Sequence, residues 1–152
     1  MISAASVSQK TQQADRVVVI KSQHTMTLYS HGTAIKTYKV ALGRGGLAPK
    51  EKSGDNLTPE GTYILDAKKT NSRFHLAFHV SYPNNADKDR AKKLGVNPGG
   101  DVEVHGVQNG LGLLGSIQHD FDWTEGCIAL SNSEIDEFAR LVPIGTPIEI
   151  KH

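Results

Sequence analysis

Cys127 is the only cysteine of the 152-residue chain and stands in Asp122-Trp123-Thr124-Glu125-Gly126-Cys127-Ile128-Ala129-Leu130. Upstream, the short run Val102-Glu103-Val104-His105-Gly106 ends in a histidine followed by glycine. The 22 positions between His105 and Cys127 are too many for neighbours on one helix or strand. A fold that joins two strand ends would still set imidazole beside thiol. There the base takes the thiol proton, or the imidazolium stabilises a thiolate, and a depressed thiol pKa is expected. Gly126, lacking a side chain, lets a substrate carbonyl approach the backbone. The N–H groups of Gly126 and Cys127 are candidate oxyanion-hole donors. The competing reading is a small buried hydrophobe ahead of Ile128-Ala129-Leu130.

The elements that must position this pair are mostly strands. Arg16-Val17-Val18-Val19-Ile20-Lys21 is β-branched and reads as a buried strand. Thr25 to Ser30 and Ala34 to Leu42 alternate in polarity around His31-Gly32, a hairpin. From Gly43 to Pro59 the chain is a long polar loop whose Arg44, Lys50 and Lys52 read as a solvated rim. Strand returns over Gly61 to Lys68 and Phe74 to Val80. Asn84 to Leu94 reads as a short helix that Asn85 can cap and Gly95 ends. Gly110, Gly112 and Gly115 mark a loop that no Gly-Lys-Ser/Thr follows, so it is not a phosphate cradle. Ser131-Asn132-Ser133-Glu134 matches a capping box and opens a helix with Ile135, Phe138, Leu141 and Val142 on one stripe. Pro147 to Lys151 closes as a strand. The residues themselves predict a mainly β domain with two short helices, preceded by a loose polar tail over residues 1–15.

Bulk properties exclude several classes. A net charge of +1 gives no electrostatic case for nucleic acid or an anionic membrane. No stretch approaches the roughly 20 apolar residues of a membrane span. One cysteine excludes an internal disulfide. Met1 to Lys10 lacks a basic start and an apolar core, so it reads as a polar leader and not an intact signal peptide. His75 and His79 share one side of a strand or helix, yet no carboxylate or third histidine stands at ligand spacing. Neither a metal nor a cofactor is expected, and His79 is read as lining the cleft near Tyr82. Trp123 is read as a packing anchor beneath the nucleophile. His119 and Asp122 either contact substrate or fix the loop.

The motifs together resemble the L,D-transpeptidase family of peptidoglycan enzymes, in which a His-Gly pair precedes Ser/Thr-x-Gly-Cys and an apolar residue. Here these are His105-Gly106 and Thr124-Glu125-Gly126-Cys127-Ile128. The resemblance runs from about Arg16 to the carboxyl end. It includes Thr58-Pro59-Glu60-Gly61-Thr62-Tyr63, Ser81-Tyr82-Pro83-Asn84 and Pro98-Gly99-Gly100-Asp101. It looks most like the branch with Asp-Trp-Thr-x-Gly-Cys-Ile-Ala, which includes enzymes that cut peptidoglycan-linked lipoprotein. Glu125 and Ala129 depart from the commoner histidine and arginine at those positions.

The resemblance implies a curved, sandwich-like β fold over residues 16–152 and a periplasmic, cell-envelope enzyme, expected to be a monomer. It also implies a reaction in which Cys127 attacks an L–D peptide bond of a peptidoglycan stem and His105 moves the proton. Gly106 would orient the base through its carbonyl. His79, Tyr82, His119, Asp122, Thr124 and Glu125 would line the substrate cleft. Four readings stay open: a transpeptidase, a hydrolase that cuts cross-links or releases a murein-bound lipoprotein, a non-catalytic murein-binding module and, last, a metal-dependent hydrolase that chelator resistance would dismiss.

Overall fold

The computed structural model describes residues 12–107 and 120–152. The tail residues 1–11, the three loop glycines and His119 lie outside the described residues. Eight strands are β1 (Arg16–Ile20), β2 (Thr25–Ser30), β3 (Thr33–Lys39), β4 (Gly61–Ser72), β5 (His75–Val80), β6 (Glu103–His105), β7 (Ile128–Ala129) and β8 (Pro147–Lys151). Two helices are α1 (Asn85–Leu94) and α2 (Asn132–Leu141). One sheet runs β3-β2-β1-β8-β4-β5-β6-β7. Its pairings are antiparallel except β1 with β8 and β6 with β7.

The sheet curls because β4 belongs to both halves. Its first residues pair with β8 and the rest with β5, and register shifts at Leu65/Ala67 and Lys69/Ser72 bend it between. The concave side buries Val17, Val19, Met26, Leu28, Tyr63, Leu65, Phe78, Val104 and Ile128 in one core. α2 lies over β5, with the Phe138 ring edge-on to Phe78 at 5.1 Å. The result is the mostly β, curved architecture with two helices that the sequence predicts.

Local signals match the chemistry of their residues. His31 and Gly32 both take positive φ (50° and 81°), the turn that suits a tight hairpin. The α2 capping box is present: Ser131 Oγ accepts from the Glu134 amide, and the Glu134 carboxylate accepts from Ser131 N. At α1 the cap is Asn84, not Asn85, in a reciprocal box with Asp87. One residue of register decides it, because Asp87 also accepts the buried Tyr63 hydroxyl at 2.7 Å. Residues 13–15, expected to belong to a loose tail, are tied to the domain. Gln13 donates to Arg140 O, the Ala14 amide donates to Leu141 O at 2.7 Å, and Asp15 accepts the His31 amide.

Of the three cations expected to form a solvated rim on the 43–60 loop, Arg44 and Lys52 are exposed and Lys50 is not. Lys50 is buried and pairs with Asp55 at 2.8 Å. Burial alone would raise the Asp55 carboxyl. The Lys50 ammonium and the amides of Glu51, Lys52 and Leu57 hold it below the usual carboxylate range. Lys21 has no exposed surface and reaches Ala48 O, Thr58 O and Glu60 at 3.1, 2.6 and 3.3 Å. Burial pulls its pKa below the ordinary lysine value against the opposing Glu60 and Asp55 charges.

Replacing Lys21 with methionine keeps the volume but takes the ammonium away from the Ala48 and Thr58 carbonyls and from Glu60. Lys21→Met should destabilise the chain by about 2–4 kcal/mol, seen as a lower midpoint in urea unfolding. An unchanged midpoint would refute the clamp.

Candidate active site

The pairing of β6 with β7 sets His105 opposite Ala129 and Val104 opposite Ile128. Continued by one residue, this parallel register sets Cys127 opposite Glu103. Side chains alternate along a strand, so Glu103, His105, Cys127 and Ala129 share one face while Val104 and Ile128 face the core. Strand spacing of about 4.8 Å and two residues of about 3.3 Å rise put the His105 and Cys127 Cα atoms roughly 8 Å apart. Two side chains can bridge that distance.

His105 is only 2% exposed and is fixed from both sides. Its Nδ1 lies 2.7 Å from the Gly106 carbonyl oxygen, which can only accept. Nδ1 therefore carries the hydrogen and Nε2 keeps the free lone pair. The Phe74 ring stacks on the imidazole at 4.3 Å, and Trp123 flanks it at 5.8 Å. Burial lowers the His105 pKa, against the Gly106 carbonyl and the Glu103 charge, which both raise it. Gly106 has no room for a side chain: a Cβ would meet Asn132 Oδ1 at 2.5 Å. That same Asn132 oxygen accepts the Val107 amide at 2.8 Å.

Thr124 shapes the nucleophile turn. Its Oγ1 donates to the Cys127 carbonyl at 2.7 Å and accepts the Gly126 amide at 3.1 Å. The buried hydroxyl thus closes the turn on itself. Thr124 is a positioning residue and not a substrate contact. The Gly126 amide is spent on Thr124, so it is no oxyanion donor, contrary to expectation. Gly126 adopts φ +134°, and a Cβ there would stand 2.7 Å from Leu57 O. Glycine is needed for this close packing against the 43–60 loop.

The remaining sequence candidates are dispersed. Asp122 takes His24 Nε2 on both oxygens at 3.0 Å and the Leu42 amide on Oδ1, so it fixes the loop and does not reach for substrate. Tyr82 is buried, its hydroxyl donating to Pro98 O at 2.6 Å and its ring edge-on to Tyr63. It is a core residue, because the apolar ring faces inward and the hydroxyl finds a carbonyl. His79 bonds Asp66 at 2.6 Å and faces Glu103 across the β5–β6 ladder, and His75 bonds Asp136. Glu125 is exposed beside the thiol. Phe74, Leu57, Asn132 and Glu103 escaped sequence reasoning. Only the register of β6 reveals Glu103, two residues before His105 on its strand face.

The thiol contradicts one expectation directly. Cys127 Sγ hydrogen-bonds Asp101 O at 3.5 Å and not His105. Burial pushes the thiol up to about 12; the Glu103 amide lowers it, while the charges of Glu103, Asp101 and Glu125 raise it further. With imidazole lowered and thiol raised, the resting pair is neutral, not a thiolate–imidazolium ion pair.

Residues 14–150 match the YkuD family, the L,D-transpeptidase catalytic domain. YafK of Escherichia coli (strain K12), provisionally named an L,D-transpeptidase, is 26% identical over 132 residues. The match takes in 83% of this chain and 46% of YafK, so the chain spans about half the length of the curated relatives it matches. The helical cell shape determining protein Pgp2 of Campylobacter jejuni superposes with a TM-score of 0.69 at 24% identity, over 93% of this chain and 49% of Pgp2. L,D-transpeptidase 3 of Mycobacterium tuberculosis, solved with a faropenem-derived adduct, gives a TM-score of 0.58 at 17% identity, over 91% and 60% of the two chains. At these identities the two structures attest the fold.

A neutral thiol has a definite signature. The alkylation rate of Cys127 by iodoacetamide should keep rising with pH through 9 and beyond. A free thiol, of pKa about 8.5, levels off there. A plateau reached below pH 7 would overturn the neutral pair.

Proposed function

The chain belongs to the L,D-transpeptidase catalytic-domain family, and on that premise we propose that it acts through a Cys127 acyl-enzyme on L–D peptide bonds of peptidoglycan stems. The observation that carries this reading is the shared face of His105 and Cys127, with the His105 Nδ1 committed to Gly106 O and Nε2 left as base. Rotation of the thiol from Asp101 O toward Nε2 readies it for attack. Sγ then bonds the scissile carbonyl carbon as its proton passes to Nε2. The C–N bond breaks, His105 returns that proton to the leaving amine, and a thioester remains. An amine (transpeptidation) or water (peptidase action) attacks the thioester, gives its proton to His105, and releases the thiol. With Gly126 spent, the Cys127 amide is the proposed oxyanion donor.

The raised thiol favours one rival of another class, a murein-binding module without turnover. Release of a murein-bound lipoprotein stays a variant of the same chemistry, differing only in the leaving group. Action in the periplasm and a role in cell shape follow from the peptidoglycan substrate and are part of the proposal. Among the described residues no helix is long and apolar enough to cross a membrane.

Incubation with purified muropeptides and mass spectrometry of products and protein tests this reading. Shortened or exchanged stems should appear with the parent chain, and Cys127→Ser should abolish them. His105→Ala should lower kcat by about 10²–10⁴-fold, whereas His75→Ala and His79→Ala should keep most activity. A carbapenem should add one drug equivalent to Cys127, and Glu125→Gln should hasten that adduct by removing a negative charge beside the drug carboxylate. No product and no adduct from the folded chain would leave the binding module as the surviving reading.

A further inference from the structure

We propose that Glu103 sets the charge preference of this cleft, selecting a peptide that carries an ammonium near the scissile bond over one that carries a carboxylate there. The inference rests on Cys127 being the reacting group, as proposed above, and specifies the substrate.

Its basis is register and charge. On β6, Glu103 and His105 stand two residues apart on one face, and the β5–β6 ladder sets His79 beside Glu103. On the other flank Cys127 faces Glu103, whose backbone amide hydrogen-bonds the sulfur. A row thus crosses the strands from thiol to Glu103 to His79, with Glu103 as the first charge beside the nucleophile. The Glu103 side chain is 13% exposed, so its field is less screened than that of a surface carboxylate. Its Oε2 lies 3.3 Å from Lys69 Nζ, but the Lys69 side chain is 66% exposed and most of its charge is spent on water.

Asp101, Glu103 and Glu125 all act on the thiol with negative charge, and among the described residues no cation is named with them. The position two residues after the nucleophile, where the commoner family segment has arginine, is the fully buried Ala129. This field works against forming a thiolate, so it brings the nucleophile no benefit. Its favourable partner is a ligand cation: a free amino group on the donor residue, or on the amine brought up to the thioester. A carboxylate placed there meets the same field as repulsion.

The sign of the field can be read without turnover. Cys127 in the full chain is modified with cationic, neutral and anionic methanethiosulfonates of similar size, and each rate is normalised to that of a small free thiol. The parent should favour the cationic over the anionic reagent at least tenfold at low salt, and 0.5 M salt should largely erase the difference. Glu103→Gln should cut that ratio at least threefold, and Lys69→Met should raise it, because it removes the partial neutralisation of Glu103. Lys69 is exposed and Glu103 mostly buried, and thermal unfolding checks that each variant is folded. A ratio near one in the parent, or a ratio that Glu103→Gln leaves unchanged, overturns the inference. Muropeptide donors with free and N-acetylated amines then separate the two readings. Turnover indifferent to acetylation refutes the charge preference alone. A reagent preference that follows both substitutions in a chain without turnover supports the charge of the cleft alone and overturns both the enzyme and its substrate preference.

Discussion

The parallel pairing of β6 with β7 is the contact on which the site depends. It is short, two residue pairs long, and the residues it pairs, Val104 with Ile128 and His105 with Ala129, are far apart in the chain. So short a ladder does not hold itself; its neighbours hold it. Ala41 and Ala129 exchange backbone hydrogen bonds at 3.1 and 2.9 Å, and the Arg44 amide donates to Thr124 O. The Leu130 amide donates to His105 O at 2.9 Å and extends the ladder by one bond. The nucleophile strand is therefore pinned between β6 and the segment that follows β3. The Lys50–Asp55 pair and the Lys21 cluster stiffen the loop that presents Leu57 O to Gly126. Buried cations thereby support the turn that carries Cys127.

The electrostatics follow from the same packing. A stacked, buried imidazole with one ring nitrogen fixed is a well-aimed base, but it is costly to charge. A thiol edged by three carboxylates is costly to ionise. Each alone would be a poor reagent. Together they suit a reaction in which proton transfer accompanies attack, because neither ion need exist beforehand.

Much of the fold was legible in the chain because local rules produce it. The Val17–Ile20 run, the His31-Gly32 turn, the Ser131–Glu134 box and the Gly95 stop each act within a few residues, so the elements appear where the periodicity sets them. His105 and Cys127 stood out by residue type and by their glycine neighbours. Family membership, too, was readable from the motifs spread along the chain.

What the sequence could not determine was which polar groups find each other. Lys50 looks like a rim lysine until Asp55 folds under it, and Tyr82 looks like a cleft residue until its hydroxyl meets Pro98 O. Asp122 reads equally as a substrate contact or a strut, and a histidine 98 positions away makes it the strut. The Gly126 amide was open to an oxyanion until the Thr124 hydroxyl took it. Sequence fixes residue type and local period, whereas hydrogen-bond partners and desolvation are set by strand register across long loops. The thiol pKa depends on both, so the tertiary structure alone gave it a sign.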